Sequence, residues 1–128
     1  MAVTHVDSVR QTITDAAVDA IDAGTTDTTG DLIFMTSGNT TCARLAWSAT
    51  PAFGTAVSGV ATMNAINSDT SALGGTVALF KFQNRNNVEV MRGTVTATGG
   101  GGDIVLSSVA LSPGDTVSIS SLTYTGSP

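Results

Sequence analysis

The stretch TVALFKFQNRNNVEVMRGTVTAT, residues 76–98, decides the fold class because apolar and polar residues alternate on both sides of a turn. Its first part, residues 76–82, has the period of two that is typical of a β-strand with one covered face. The segment QNRNN follows, and asparagine tolerates the left-handed backbone that tight turns require. Residues 88–98 then return as a second strand. The stretch therefore predicts a β-hairpin.

Short strand candidates on either side of this hairpin extend the pattern. They are separated by turn signals such as SGNT and SPGD, which recur roughly every 8–12 residues, a spacing typical of a β-sandwich. We predict a mainly β fold, an antiparallel β-sandwich of jelly-roll or immunoglobulin type with seven to eight strands over residues 31–125. Trp47 and Phe53 are expected in its core. The candidates are residues 31–37, 42–48, 58–66, 76–82, 88–98, 103–108 and 116–125.

Residues 4–24 predict one amphipathic α-helix, with Thr4 as its cap and Gly24 as its stop. Its apolar residues recur at spacings of three and four, which gives a shallow stripe that can lie against the sheet or against another subunit. Val18 lies among the aspartates on the other side and is expected to face solvent. The helix precedes all the strands, which disfavours a parallel α/β sheet and indicates a single domain over residues 1–128. The stripe comprises Val6, Val9, Ile13, Ala16, Ala17 and Ala20.

Four consecutive glycines, Gly99–Gly102, resemble the start of a phosphate-binding loop. Such a loop must lead into a helix N-terminus and needs a lysine beside the phosphates. Here the glycines lead into DIVLSS, which reads as a strand, and no lysine follows. We therefore expect these glycines only to turn a corner.

The residues that commonly carry catalysis are too few and too scattered to indicate a reaction. His5 and Cys42 are the single histidine and cysteine, and they lie far apart in the sequence. We expect no enzyme activity and no cofactor, and we expect Cys42 to be a small buried hydrophobe. Three loop aspartates, Asp69, Asp103 and Asp115, match no calcium-loop spacing, so no metal site is predicted.

Charge is unevenly distributed along the chain. The net charge is -5, and residues 1–31 hold six aspartates and one arginine, so that this segment alone carries all of it. Binding to nucleic acid needs a basic footprint, which the chain lacks. The sequence has no run of about 20 apolar residues, so we expect no membrane span, and no basic segment followed by an apolar core is seen near residue 1, so we expect no secretion signal. Only 12% of residues are charged, and 34 are serine or threonine, which suits a surface packed against neighbours.

Two polar groups are candidate partner-binding sites. One is the acidic side of the helix, which either faces a basic patch on a partner or packs on its own sheet. The other is the hairpin tip, where an arginine stands among asparagines, a composition common at interfaces. The candidate residues are Asp15, Asp19 and Asp22 on the helix, and Asn84, Arg85 and Asn86 at the tip. The remaining basic residues on predicted strands are Arg44, Lys81 and Arg92.

Two segments, PAFGTAVSGVATMNAINSDTSALGGTVALFKF at residues 51–82 and SPGDTVSISSLTYT at residues 112–125, resemble a family of small proteins encoded by tailed bacteriophages. The resemblance extends to the N-terminal helix and to the closing GDTVSISS-like strand. It implies a virion component, a capsid decoration or cement protein on the outer surface of the head, with the major capsid protein as its partner. It carries no catalytic or binding residue onto this chain.

The decoration hypothesis also implies a homo-oligomer, and a trimer would suit quasi-threefold positions of a capsid. Many modest contacts repeated by symmetry would then give firm attachment. Two alternatives stay open at this point. One is a neck, tail or fibre-associated virion protein, and the other is a carbohydrate- or receptor-binding β-sandwich.

Overall fold

The computed structural model describes residues 3–126, which form one helix and nine strands. The mainly β class with one N-terminal helix is thereby confirmed. Several strands are shorter than predicted, with only two or three residues each. The elements are α1 (Asp7–Asp19), a 3₁₀ turn (Ala20–Asp22), β1 (Asp31–Met35), β2 (Thr41–Ala46), β3 (Val60–Thr62), β4 (Gly75–Thr76), β5 (Leu79–Gln83), β6 (Glu89–Ala97), β7 (Ile104–Leu106), β8 (Ala110–Leu111) and β9 (Thr123–Thr125).

A curled five-stranded sheet with the order β2-β1-β5-β6-β7 organises the fold. Strand β1 lies between β2 and β5 and is buried along its whole length, as its apolar sequence predicts. The predicted hairpin is confirmed, because β5 and β6 pair antiparallel across the QNRNN turn. Two smaller antiparallel pairs, β3 with β9 and β4 with β8, complete the β-structure of the described residues.

An aromatic cluster forms the centre of the core. The ring centroids of Trp47, Phe53 and Phe82 lie 5.6–5.9 Å from one another, and Phe80 lies 5.3 Å from Phe82. The tilted and edge-on arrangements are those that aromatic quadrupoles favour. The prediction that Trp47 and Phe53 belong to the core is confirmed, since each is at most 2% exposed.

The prediction of a purely antiparallel architecture is wrong, because β7 runs parallel to β6. The predicted sandwich, whether jelly-roll or immunoglobulin-like, is not confirmed. Only six residues, 98–103, connect β6 to β7, although parallel neighbours usually need a crossover of a dozen or more. The chain folds back along β6 within this short loop and then runs forward again, so that Val95 lies opposite Ile104.

The glycine run makes this tight return possible. Gly99 and Gly101 have φ angles of 89° and 77°, which glycine adopts without strain. A Cβ atom at Gly100 would lie 2.5 Å from the Cβ of Thr96, and one at Gly102 would lie 2.9 Å from the backbone nitrogen of Thr96. Gly99 and Gly101 therefore supply positive φ angles, and Gly100 and Gly102 allow the loop to lie close to Thr96. They turn a corner, as predicted, and they add a parallel strand to the sheet.

Helix α1 is shorter than the predicted range of residues 4–24. Val6 occupies the N-cap position without a side-chain hydrogen bond, so the predicted cap at Thr4 is wrong. The helix continues as the 3₁₀ turn to Asp22, and Gly24 follows with a φ of 111°. Gly24 therefore takes the left-handed backbone of a helix stop, as predicted.

The apolar stripe of α1 does not lie against the sheet, which was one of its two predicted placements. Val6, Val9 and Ile13 are 69%, 41% and 36% exposed. Val18 was expected to face solvent, yet Val18 and Ile21 are 1% and 0% exposed and belong to the core. At about 100° per residue, the buried face lies roughly opposite the predicted stripe.

Hydrogen bonds to backbone groups explain why the face with Gln11 and Thr14 is the buried one. The Thr14 hydroxyl donates to the carbonyl of Gly59 at 2.8 Å and accepts from the amide of Gly126 at 3.2 Å. The side-chain amide of Gln11 donates to the carbonyl of Ala56 at 3.2 Å. These backbone groups lie outside regular strands and need partners. Polar side chains on the buried face of the helix supply them.

Candidate functional site: two interaction surfaces

Two of the three predicted acidic residues of α1 have structural roles. Asp15 accepts a hydrogen bond from the amide of Ala56 at 2.7 Å, and Asp22 accepts one from the amide of Ala52 at 2.9 Å. Burial raises the pKa of Asp22, while the bond from Ala52 lowers it by a smaller amount and the charge of Asp19 raises it further. Only Asp19 is exposed. The acidic side of the helix therefore holds the irregular segment at residues 52–56 in place.

The asparagines of the hairpin tip are also engaged within the chain. The Asn84 side-chain oxygen accepts from the amides of Asn86 and Val88 at 2.9 and 3.1 Å, which closes the turn. The Asn86 side-chain oxygen accepts from the amides of Thr25 and Thr26 at 3.0 and 3.1 Å. Asn86 thus clamps the connector that links the helix to β1.

Arg85 belongs to the same clamp. Its Nε donates to the carbonyl of Asp27 at 2.8 Å, and its backbone amide donates to the carbonyl of Ala23 at 2.9 Å. The tip residues and the acidic residues were predicted as partner-binding sites, and a role in binding stays a prediction. The structure brings the tip to the connector at residues 23–27 and brings the helix to residues 52–56.

One exposed apolar surface lies along α1 and its N-cap. Val6, Val9, Ile13 and Ala16 follow one another at spacings of three, four and three on the solvent side of the helix. We call these four residues the outer stripe. The sequence analysis left open whether this stripe lies against the sheet or against another subunit, and the structure leaves it exposed. A surface helix with two valines and an isoleucine facing solvent has an unusual pattern, and exposed apolar patches often mark interaction sites.

A second exposed surface is a row of cations across the outer face of the main sheet. Ile33 lies directly opposite Arg44 on β2 and Lys81 on β5, and Lys81 lies directly opposite Arg92 on β6. Residues that are opposite each other in a ladder share a face. We call Arg44, Lys81 and Arg92 the basic row. It holds three of the five basic residues of the chain.

The arginines at the two ends of the basic row each bind a carboxylate. Arg44 forms an ion pair with the buried carboxylate of Asp31 and donates to the side chain of Asn87. Arg92 binds Glu89 through Nε at 2.9 Å and through Nη2 at 2.7 Å. The hydrogen bond from Arg92 lowers the pKa of Glu89, and the charges of Arg92 and Lys81 lower it further.

Lys81 differs from its two neighbours in the row. Neither ion pair of the row includes it, and like charges directly opposite each other, as in Lys81 and Arg92, destabilise a sheet. Three cations and two carboxylates leave the row with a net charge of +1. The Arg44 and Arg92 side chains are nearly half exposed. The row is therefore a mildly cationic surface open to a partner.

A concavity of about 450 Å³ adjoins the basic row at Arg44. Hydroxyls and carboxylates of residues 26–29 and Asp31 line most of it. Asn87 donates to the Asp27 carboxylate at 2.8 Å beside it. The chemistry of the lining is that of a hydrated polar surface, which extends the basic row without an apolar pocket.

A separate groove of about 290 Å³ lies between the main sheet and β9. Phe80, Phe82 and Met91 contribute from the sheet, and the half-buried Tyr124 contributes from β9. Aromatic side chains with a polar edge are typical of small-ligand sites. This groove is the one described cavity in which a tyrosine ring meets apolar neighbours.

The described chain offers little for metal or thiol chemistry. Among residues 3–126, no three histidine, cysteine, aspartate or glutamate side chains come together in a group that could hold a metal ion. Cys42 is buried, as predicted, and burial raises the pKa of its thiol. Asp103 accepts from the amide and hydroxyl of Thr94 at 2.9 and 3.0 Å, and these bonds lower its pKa.

Within the same residues, no helix is both long enough and apolar enough to cross a membrane. Comparison with protein-family models, with curated proteins and with solved structures found no match for this chain.

Proposed function

We propose that this chain is a structural virion protein of a tailed bacteriophage, a capsid decoration protein. It binds the outside of the head as a homo-oligomer and holds neighbouring subunits of the major capsid protein together. The resemblance of the sequence to small proteins of tailed bacteriophages indicates the kind of assembly, a phage head. The basic row supplies the observation that carries the proposal, because it is a surface on which three cations stand beside two carboxylates and carry a net charge of +1.

The opposed cations of the basic row favour a binding role. Lys81 and Arg92 repel each other across the ladder, so their placement lowers the stability of the free protein. Local rules of this kind are broken most often at functional sites. An acidic surface placed over the row would relieve the repulsion. The row would therefore face an acidic patch of the shell.

The size of the charge favours a protein partner over nucleic acid. Two of the three cations already hold carboxylates, Asp31 and Glu89, so the row offers a net charge of +1. Displacing counterions from nucleic acid takes several uncompensated cations. A weak contact with protein suffices when the contact is repeated over a symmetric lattice, because linked weak contacts add up to firm attachment.

A mixing experiment tests this function. Purified protein is added to expanded capsids that lack it, and binding is measured by sedimentation and imaging. Saturation at a copy number commensurate with the lattice, together with a raised temperature of capsid disassembly, is the expected result. Binding only at a portal, neck or tail would refute decoration and support the alternative of a neck or tail protein. Absence of binding to any virion part would refute both.

Matched variants test the role of the basic row in the same assay. Lys81→Gln removes one charge and is expected to weaken shell binding at least several-fold, whereas Lys81→Arg keeps the charge and the binding. Ser120→Asp changes the net charge by the same amount at an exposed position away from the row, and it should bind like the wild type. Equal binding by Lys81→Gln and the wild type would exclude the row as the shell contact.

The groove beside β9 favours a second candidate, a carbohydrate- or receptor-binding protein. Tyr124 lies half-buried against the groove and could stack on a sugar ring. Titration with single sugars, followed by NMR shifts of groove residues, tests this function. Saturable shifts that Tyr124→Ala abolishes would establish it, and unperturbed groove residues with every sugar would refute it.

A further inference from the structure

The outer stripe of α1 is rigidly held yet has no partner within the described chain. Val18 and Ile21 anchor the opposite face in the core, and Thr14 ties the helix to two segments through hydrogen bonds. The helix is therefore already formed before anything binds it. A preformed helix does not lose conformational entropy on docking, which favours association through its free face.

The spacing of the outer stripe indicates what covers it. Val9, Ile13 and Ala16 of the helix, preceded by Val6 at its N-cap, follow the alternating spacing of three and four residues that forms the seam of a coiled coil. Knobs-into-holes packing requires a facing helix with the same spacing. The structure contains one such exposed helix per chain, so a second copy of α1 has the required surface.

Most of the charged side chains of α1 lie away from the outer stripe, so a second acidic helix can pack against it. Asp15 and Asp22 point their carboxylates at backbone amides on the buried side, and Asp7 pairs with Arg10 at 3.0 Å. Thr12 and Ala17 flank the middle of the stripe on its two sides, and neither is charged. Only Asp19 places an exposed carboxylate beside the stripe. Two copies can therefore meet without opposing their aspartates.

The dimensions of the helix predict weak association. A helix of 13 residues is about 20 Å long and about 10 Å wide. Its footprint is well below the ~800 Å² per partner that stable complexes bury. We therefore expect an equilibrium that depends on protein concentration, and that becomes firm only where copies are held close together.

We infer that α1 is a self-association helix whose outer stripe packs against the outer stripe of a second copy of this chain. The inference gives the proposed homo-oligomer a defined surface. It is tested without capsids, so this inference and the decoration function can fail separately.

Sedimentation velocity over a concentration series tests the inference, from about 1 µM to about 1 mM. The wild type is expected to shift from monomer to oligomer across this range. Val9→Asp places a charge in the seam and is expected to raise the apparent dissociation constant more than tenfold. Val88→Asp is the matched control, because Val88 is also an exposed valine, 58% accessible, but lies beside the hairpin tip. It should associate like the wild type.

Salt distinguishes this contact from a charged one. An apolar seam between two molecules of charge -5 should associate equally well or better in 0.5 M salt, because screening reduces their repulsion. Docking through the basic row should weaken under the same conditions. A wild type that stays monomeric at 1 mM would overturn the inference. Equal loss of association in Val9→Asp and Val88→Asp, with both variants folded by circular dichroism, would also overturn it.

Discussion

Replacing one valine of α1 at a time tests the observed orientation of the helix. Val18→Ala removes two methyl groups from a side chain that is 1% exposed. At about 0.8 kcal/mol per buried carbon, the transfer loss is about 1.6 kcal/mol, and the cavity left behind adds about 1 kcal/mol. The better helix propensity of alanine returns about 0.5 kcal/mol. We expect the free energy of unfolding to fall by about 2 kcal/mol.

Val9→Ala is the matched control in the same helix. Val9 is 41% exposed on the outer stripe, so the lost burial is small and is offset by the gain in helix propensity. We expect its free energy of unfolding to stay within ~0.5 kcal/mol of the wild type. In a domain of this size, the thermal unfolding midpoint (Tm) of Val18→Ala should lie about 6–8 °C below that of the wild type.

Urea unfolding gives the free energy of unfolding of both variants. It is followed by the fluorescence of Trp47, because this ring is buried in the aromatic cluster. The protein concentration must lie below the range of self-association, since Val9 also belongs to the outer stripe. Equal destabilisation by the two variants, or a larger loss for Val9→Ala, would refute the observed orientation and favour the alternative in which the apolar stripe lies against the sheet.

Four further perturbations test the glycine loop and two carboxylates. Gly102→Ala places a Cβ against the neighbouring strand and should lower the free energy of unfolding by about 1–3 kcal/mol; a neutral effect in urea unfolding would contradict the close approach. Folding raises the pKa of Asp22, so its ionisation opposes folding, and the wild type should gain stability relative to Asp22→Asn as the pH falls from 7 towards 3.8. Urea titrations at several pH values measure this difference, and a gain in the opposite direction would contradict the desolvation of Asp22. Asp22→Ala leaves the amide of Ala52 unpaired and should cost about 1–2 kcal/mol in the same assay. Folding lowers the pKa of Asp103, so its contribution is present above its ordinary pKa of 3.8 and is lost as the pH falls through the lower folded value. The protection factor of the Thr94 amide, which is its exchange rate relative to that of an unstructured peptide at the same pH, should then fall in acid in the wild type, and an equal fall in Asp103→Ala would contradict this role.

The strands were largely predictable because burial in a sheet follows the period of the sequence. Residues 31–35 are apolar on both faces, and β1 is covered on both faces. The hairpin followed from alternation and from asparagines in its turn. The parallel pairing of β7 was not predictable, because it depends on how closely the glycine loop approaches Thr96, and this contact has no local signal in the sequence.

The sequence left the inward face of the helix open, and it placed Val18 on the solvent side because hydrophobicity was the only measure used. The buried face pairs Val18 and Ile21 with Gln11, Thr14 and Asp15, whose polar groups bind backbone atoms. Those backbone atoms belong to irregular segments distant in sequence. The pattern of polarity along the helix does not show which backbone groups of distant segments need a hydrogen-bond partner.

The basic row escaped prediction for a related reason. Arg44, Lys81 and Arg92 belong to three different strands, and only the register of β1 with β2 and β5, and of β5 with β6, places them side by side. The sequence identified all three as basic residues on strands. Conversely, the hairpin tip looked like a free interface because Asn86 and Arg85 are polar, whereas they close a contact with the connector at residues 23–27.

The two hydrogen bonds of Thr14 have a consequence for how the chain reaches its native state. One hydroxyl joins a helix near one end of the chain to residue 126, which is 112 positions later. Closing so long a loop is entropically costly and is slow in chains dominated by distant contacts. During synthesis on a ribosome, α1 can contact residues 52–62 as soon as they emerge, but the hydrogen bond between Thr14 and Gly126 forms only after β9 has emerged. The outer stripe stays exposed throughout, which leaves the nascent chain open to premature association through it.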